Sequence, residues 1–377
     1  MIISVPRETH RHEHRVGLSP FAVSRLIKQG HTVLIEREAG KGAHFTDQVY
    51  QKVGGQIVYS SDEVYKRAQL VCRVGTISAE ELELLSPDTT ICAFHHLAVA
   101  SKEMIRQLQE LRTTLIGYEI VQDEKKRLPI LLPFSEMAGH MSVHVAAGYL
   151  QTEMGGRGIL MGNVPGVPPP TVLILGAGTV GSMAACQALA SGAHVIVFDA
   201  SLPKLRHLNN RLSGRAVTMV PTAARLAQYS AIADVLIGAV LIPGGRAPYL
   251  ITEEMVRAMK PGSVILDIAI DQGGCVETSR PTTLDQPTFK MHDVIHFCVP
   301  NMTANVARTA SRALANEVLP FIQNLANLGV DGALWEDVGL GRGVYLYRGE
   351  MVNEGIGKAM NIPVKNLRDL LPGDGVS

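Results

Sequence analysis

Short runs of β-branched and aliphatic residues alternate along this chain with stretches whose apolar positions recur every three or four residues. From the N-terminus the series reads MIISV, PFAVSRLIKQG, HTVLIE, DQVYQKVGG, QIVYS, QLVCRV, TTICAF, SKEMIRQLQEL and TTLIGYEIV. Such alternation predicts a parallel sheet covered by helices. After the loop around Pro129 to Pro133, the stretch SEMAGHMSVHVAAGYLQTEMGG has helical spacing and leads into the Gly/Pro-rich GRGILMGNVPGVPPP, which marks a boundary. A second series follows: TVLIL, TVGSMAACQALASG, HVIVFD, PKLRHLNNRL, AVTMV, AARLAQYSAIA, DVLIGAV, ITEEMVRAMK, SVILDIAI and VIHFCV. A long helix-like segment from Ala304 to about Leu328 is then left to run across the junction, and the remaining tail reads as irregular. The expectation is an α/β chain of two Rossmann-like, doubly wound parallel-sheet domains with an active-site cleft between them. The first is discontinuous, residues 1–135 plus 305–377, and the second spans 136–304.

One βα turn of the second series carries chemistry. In TVLILGAGTVGSMAACQALASGAHVIVFDAS a buried-type strand leads to Gly176, Gly178 and Gly181, then a helix, a second strand and Asp199. Gly176 permits the tight turn, Gly178 lets the backbone approach a pyrophosphate, and Gly181 allows helix and strand to pack closely. The helix N-terminus, at Thr179 and Val180, supplies amide donors. Asp199 fits the ribose-binding acid, and its charge repels a 2′-phosphate, which favours NAD over NADP. Lys204 and Arg206 nearby soften that preference. A glycine-rich turn that binds no nucleotide is the bland reading, set aside here because strand, helix and acid are all in register.

Length and composition agree with this picture and narrow it. The 377 residues exceed what one core supports, and 46% hydrophobic with 19% charged residues marks a globular chain. Lys+Arg equals Asp+Glu at 35 each, so no broad basic field calls for nucleic acid or an anionic membrane, and small molecules are the expected partners. Five scattered cysteines without a C-x-x-C pair give no disulfide framework. The N-terminus turns polar too soon for a secretory signal, and no apolar run reaches the roughly 20 residues of a membrane span. A cytoplasmic location is expected.

Polar residues at the carboxyl ends of strands are the candidates for reacting groups, because ligands of open parallel sheets sit there. In the first series these are Arg15, Arg73, the doublet His95 and His96, and Glu119; in the second, Asp271, Asn301 and Met302. Each also has a structural reading. Arg15 lies in a very polar loop, a strand-end histidine is often a hydrogen-bonded core residue, Asp271 can cap its own turn, and Glu119 can be an ion-pair partner. His10, His12 and His14 alternate along HRHEH, but the segment reads as an exposed loop and no metal site is assigned.

The blocks PRETHRHEHRVGLSP, HTVLIEREAGKGAHFTD, FHHLA, LLPFSEMAGHMSVHVAAGYL, GGRGILMGNVPGV, GAVLIPGGRAP and MKPGSVILDIAIDQGGCVETSRPTT resemble, in order, those of the alanine dehydrogenase and transhydrogenase alpha-subunit family. His96 and DIAIDQGG are more similar to the alanine dehydrogenase branch. The resemblance implies an NAD-dependent amino-acid dehydrogenase that reversibly deaminates a small L-amino acid to the 2-oxo acid and ammonia, working as a homo-oligomer, a hexamer by family analogy. It implies that Arg15 binds the substrate carboxylate, that His96 and Asp271 are the catalytic histidine and aspartate, and that Ser135, Asp199, Ala239, Val240, Cys298, Asn301 and Met302 join the turn and Lys204 in holding the cofactor. The family's substrate-binding lysine, in a K-V-K-E-P-like block, is here Gly75 in CRVGTI. Arg73, two residues earlier, is expected to lean into that space and bind substrate. Two alternatives stand beside the main reading: a different or larger amino or keto acid as substrate, and a non-deaminating, NAD-binding transhydrogenase-like or regulatory component.

Overall fold

The structure is a computed structural model and describes residues 1–97, 100–240 and 248–372. Its strands, in chain order, are β1 (Ile2–Val5), β2 (Thr32–Glu36), β3 (Gln56–Val58), β4 (Leu70–Cys72), β5 (Thr90–Ala93), β6 (Thr114–Gly117), β7 (Thr171–Leu175), β8 (His194–Phe198), β9 (Val217–Met219), β10 (Val235–Gly238), β11 (Val264–Asp267), β12 (Thr288–Met291), β13 (Val294–Phe297), β14 (Val344–Tyr347) and β15 (Glu350–Met351). They form two sheets, each in its own compact unit: Met1–Phe134 with Ala304–Ser377, and Ser135–Thr303.

The first sheet runs β15-β14-β6-β5-β4-β1-β2-β3 and the second β12-β13-β11-β10-β7-β8-β9. In each, the chain starts in the middle, builds outward to one side, then crosses over and builds to the other. This order leaves a crevice at the carboxyl ends of the two central strands, β1 and β4 in one unit and β7 and β10 in the other. The central strands are buried on both faces, as Leu70, Val71 and Cys72 of β4 or Val172 to Leu175 of β7 illustrate, each 0% exposed. A parallel sheet sandwiched by helices requires such continuous apolar runs.

The sheets are mixed rather than wholly parallel. β12 pairs antiparallel with β13, β14 antiparallel with β6, and β15 antiparallel with β14. The tail that reads as irregular thus supplies two strands to the first sheet. Both hairpins turn on two residues with positive φ, His292 and Asp293 in one and Arg348 and Gly349 in the other, the backbone that a tight hairpin demands. Neither turn carries the usual Asn-Gly signal, so the pattern of residues concealed them.

The long helix is Ala307–Glu336, interrupted at Gly329, whose φ of 73° and ψ of 168° suit glycine alone. It packs on the first unit. The Val16 amide donates to Ser311 Oγ at 3.0 Å, and Arg308 Nη1 donates to the His44 carbonyl at 2.7 Å. Among the described residues no helix is long and apolar enough to cross a membrane.

Candidate active site and nucleotide turn

In the second unit the turn after β7 is built by three glycines with three separate reasons. Gly176 has φ 108°, and a Cβ there would meet the Ala239 carbonyl oxygen at 2.5 Å, so the turn lies against the end of β10. A Cβ on Gly181 would stand 1.8 Å from the Gly176 carbonyl oxygen, which seals helix to strand. Gly178, the N-cap of helix Thr179–Ala190, has no atom near its Cβ position, so its open side is available to a ligand backbone. Asp199 is already tied into this turn. One carboxylate oxygen accepts the Ala177 amide and the other the Ser201 amide, both at 2.7 Å. Lys204 lies exposed on the next helix, Leu202–Arg211, and Ala239 and Val240 follow β10 beside Gly176. Ser135 is half-buried on helix Leu132–Tyr149. Beyond β13, Cys298 and Met302 are buried, while Asn301 is exposed in a left-handed conformation with φ 52°. These donors and the open glycine side fit a dinucleotide.

Asp271 sits exposed in a short helical turn, Ile268–Gln272, after β11. Asp267, the last residue of β11, closes the loop that contains this turn: its carboxylate accepts the amides of Cys275 and Val276 at 3.0 and 3.1 Å. Burial pushes the Asp267 carboxyl above its ordinary range. Asp267 reads in the sequence as the last residue of an apolar strand, so its supporting role leaves no local signal.

In the first unit the polar groups gather beyond β1, β4 and β5. Arg15 is 4% exposed and grips Glu13 through Nε at 2.8 Å and Nη2 at 2.5 Å. Its guanidinium lies over the Phe134 ring, 5.4 Å from the centroid. Phe134 in turn meets Phe94 edge-on at 5.3 Å, and Phe94 stacks with His96 at 6.2 Å. Two aromatic rings therefore join Arg15 to His96 across one apolar floor. A cavity of about 340 Å³ adjoins Arg15, lined among others by Glu8, Glu13, His14 and Lys41.

The two histidines of the doublet part company. His95 is 2% exposed, its ring Nε2 3.2 Å from the Ile91 carbonyl oxygen, and burial holds its pKa below the ordinary imidazole range. His96 is exposed. Strand alternation does not explain this, because β5 ends at Ala93 and His96 has φ 47°, a left-handed turn.

Arg73 departs from expectation. It is fully buried rather than leaning beside Gly75, with Nη1 donating to Glu81 at 2.7 Å and Tyr65 at 2.8 Å, and Nη2 to Glu8 at 3.1 Å. Burial opposes its charge, yet Glu8, Tyr65 and Glu81 together keep it protonated. A guanidinium taken out of water must be paired, and two carboxylates close at hand capture it. The group beside Gly75 is instead Glu8, which accepts the Val74 amide at 2.6 Å and the Gly75 amide at 3.3 Å. Burial raises the Glu8 carboxyl above its ordinary value. Glu8 and Glu13 escape sequence reasoning because PRETHRHEHR reads as a solvated, charge-rich loop. Among the described residues no cluster of three or more His, Cys, Asp or Glu is arranged to hold a metal ion.

Two family models cover nearly the whole chain: the N-terminal domain of alanine dehydrogenase/PNT over residues 4–138 and its C-terminal domain over 142–354. The alanine dehydrogenase of Mycolicibacterium smegmatis is 41% identical over 371 residues, 98% of this chain and 100% of that protein. That of Methanococcus maripaludis is 39% identical over 364 residues, 96% of this chain and 97% of its own. A solved L-alanine dehydrogenase superposes with TM-score 0.93 at 42% identity, covering 96% of this chain and 99% of that one. A transhydrogenase from Sinorhizobium meliloti gives 0.81 at 25% identity, covering 93% and 100%.

Proposed function

The chain belongs to the alanine dehydrogenase/PNT family, and on that premise we propose that it is an NAD-dependent dehydrogenase interconverting a small L-amino acid with its 2-oxo acid and ammonia. The carrying observation is the Gly176–Gly181 turn with Asp199 fastened to its Ala177 amide. An anionic side chain at that point accepts ribose hydroxyls and repels a 2′-phosphate, the reason for choosing NAD over NADP.

NAD, when bound, supplies the hydride acceptor. Arg15, whose Nε and Nη2 grip the Glu13 carboxylate in the structure, is assigned the substrate carboxylate, which would take the place of Glu13 on this planar fork of donors and so fix the orientation of its Cα. His96 is the exposed member of the doublet and exchanges the proton that the amine or the attacking water must give up or regain. Asp271 stabilises the developing iminium or orients that water. Arg73 is assigned no contact with substrate, because it is fully buried and its two terminal nitrogens donate to Tyr65, Glu81 and Glu8 inside the protein. Homo-oligomeric assembly and a cytoplasmic location complete the proposal.

Gly75 favours a second reading, a larger or different amino or keto acid, because no long cationic side chain projects at that position. The deciding experiment is NAD reduction by the purified protein across a panel of L-amino acids, repeated with Gly75→Lys. Turnover with at least one of them is expected, with the variant shifted toward alanine. A wild type that reduces no NAD with any member would favour the non-deaminating alternative and overturn this function.

A further inference from the structure

The exposed histidine is not held by its own ring contacts alone. Its backbone is left-handed, φ 47°, a conformation that a non-glycine residue keeps only when its surroundings impose it. What imposes it is a carboxylate two residues beyond β6. Glu119 Oε1 accepts the His96 amide at 2.6 Å, and Oε2 accepts the His95 amide at 3.3 Å. Consecutive amides converging on one anion make a nest, a geometry that a neutral partner fills poorly. The carboxylate is braced from the far side, where the Tyr345 hydroxyl donates to Oε1 at 3.0 Å. Tyr345 comes from β14, and its ring reaches this position because residue 117 is glycine: a Cβ there would stand 2.3 Å from Tyr345 Cε2. The same ring meets the buried His95 ring edge-on at 6.3 Å. One strand of the C-terminal tail and one carboxylate thus settle which histidine points into the core and which faces outward.

We propose that Glu119, braced by Tyr345, is the positioning residue for His96: it holds the His95–His96 backbone in the turn that presents the His96 ring for proton transfer. This rests on the assignment of His96 made above, and it adds a requirement for the charged carboxylate. Glutamine is the sharp substitution. Its single oxygen can serve the His96 amide and Tyr345, or the His95 amide, but not both, and its amide nitrogen then faces another donor.

With the best substrate of the panel, Glu119→Gln is expected to lower kcat about ten-fold or more, the scale of one charge-assisted hydrogen bond. KM and NAD affinity should change less than about three-fold, because a positioning loss falls on the transition state. In a His96→Ala background the same change should have no further effect, since two residues acting through one group are not additive. If His96→Ala leaves no measurable turnover, the kcat-only loss of Glu119→Gln decides the matter. Unchanged NAD affinity reports that the nucleotide-binding unit is intact. If Glu119→Gln does not fold, Tyr345→Phe, which keeps the carboxylate, should show the same kcat-only loss to a smaller degree. A kcat within two-fold of wild type, or losses that multiply in the double variant, would overturn the proposal. Full activity of His96→Ala alone would instead remove the assignment on which it rests.

Discussion

At the scale of single residues the molecule separates histidines by what surrounds them, and His296 shows the energetic side of this. It is fully buried on β13, its Nδ1 3.1 Å from the Val294 carbonyl oxygen and its Nε2 2.8 Å from the Thr278 hydroxyl. A carbonyl can only accept, so Nδ1 carries the proton and Nε2 accepts from Thr278. Burial pushes its pKa down to about 4 from 6.5. The unfolded chain therefore binds a proton at mildly acidic pH that the folded chain refuses, and stability is lost as pH falls from the unfolded value toward the folded one. Roughly 1.4 kcal/mol should go for each pH unit in that window. Urea denaturation at pH 6.5 and pH 5 should show wild type losing roughly 1.5 kcal/mol more than His296→Asn. Equal losses would mean that His296 is protonated inside the fold.

At the scale of elements, the glycine-rich turn proposed to hold NAD makes two outwardly similar glycines separable. Gly181→Ala forces a Cβ to within 1.8 Å of a backbone oxygen that cannot move aside, so it should lower both thermal stability and NAD affinity. Gly178→Ala meets no neighbour, and its φ of −73° is one that alanine accepts readily. It should leave the melting temperature within a degree or two while weakening NAD binding about ten-fold or more, because the new methyl projects where the pyrophosphate must come close. Differential scanning fluorimetry and NAD titration of both variants test the pair. A Gly178→Ala protein with undiminished NAD affinity would show that the ligand backbone does not approach this residue.

For the whole molecule, ligand linkage offers a test that needs no turnover. NAD at a hundred times its Kd should add roughly 2.7 kcal/mol to the unfolding of the unit that carries the turn. For a unit of this size that corresponds to a rise of roughly 5–10 °C in its melting transition. NADP at the same concentration should give less than half the rise, and Asp199→Gly should erase the difference between the two. An equal or larger shift with NADP would reject the role given to Asp199.

Wherever the message is local and repeated, the amino-acid sequence alone determines the outcome here. Apolar runs and their period lead to two doubly wound sheets, and the Gly176–Gly181 spacing with Asp199 leads to a glycine-rich turn whose strand, helix and acid are arranged as their order implies. Two antiparallel hairpins stay hidden because their turns use His-Asp and Arg-Gly in place of Asn-Gly. The active-site surroundings depend on contacts between distant residues. Arg73 is drawn inward by Glu8 and Glu81, and Glu119 meets the amides of His95 and His96 from the turn after the neighbouring strand β6, braced by Tyr345 of β14. A side chain's partner in such a network is set by which buried charge lies within hydrogen-bond reach. That distance comes into being only when strands far apart in the chain are laid side by side.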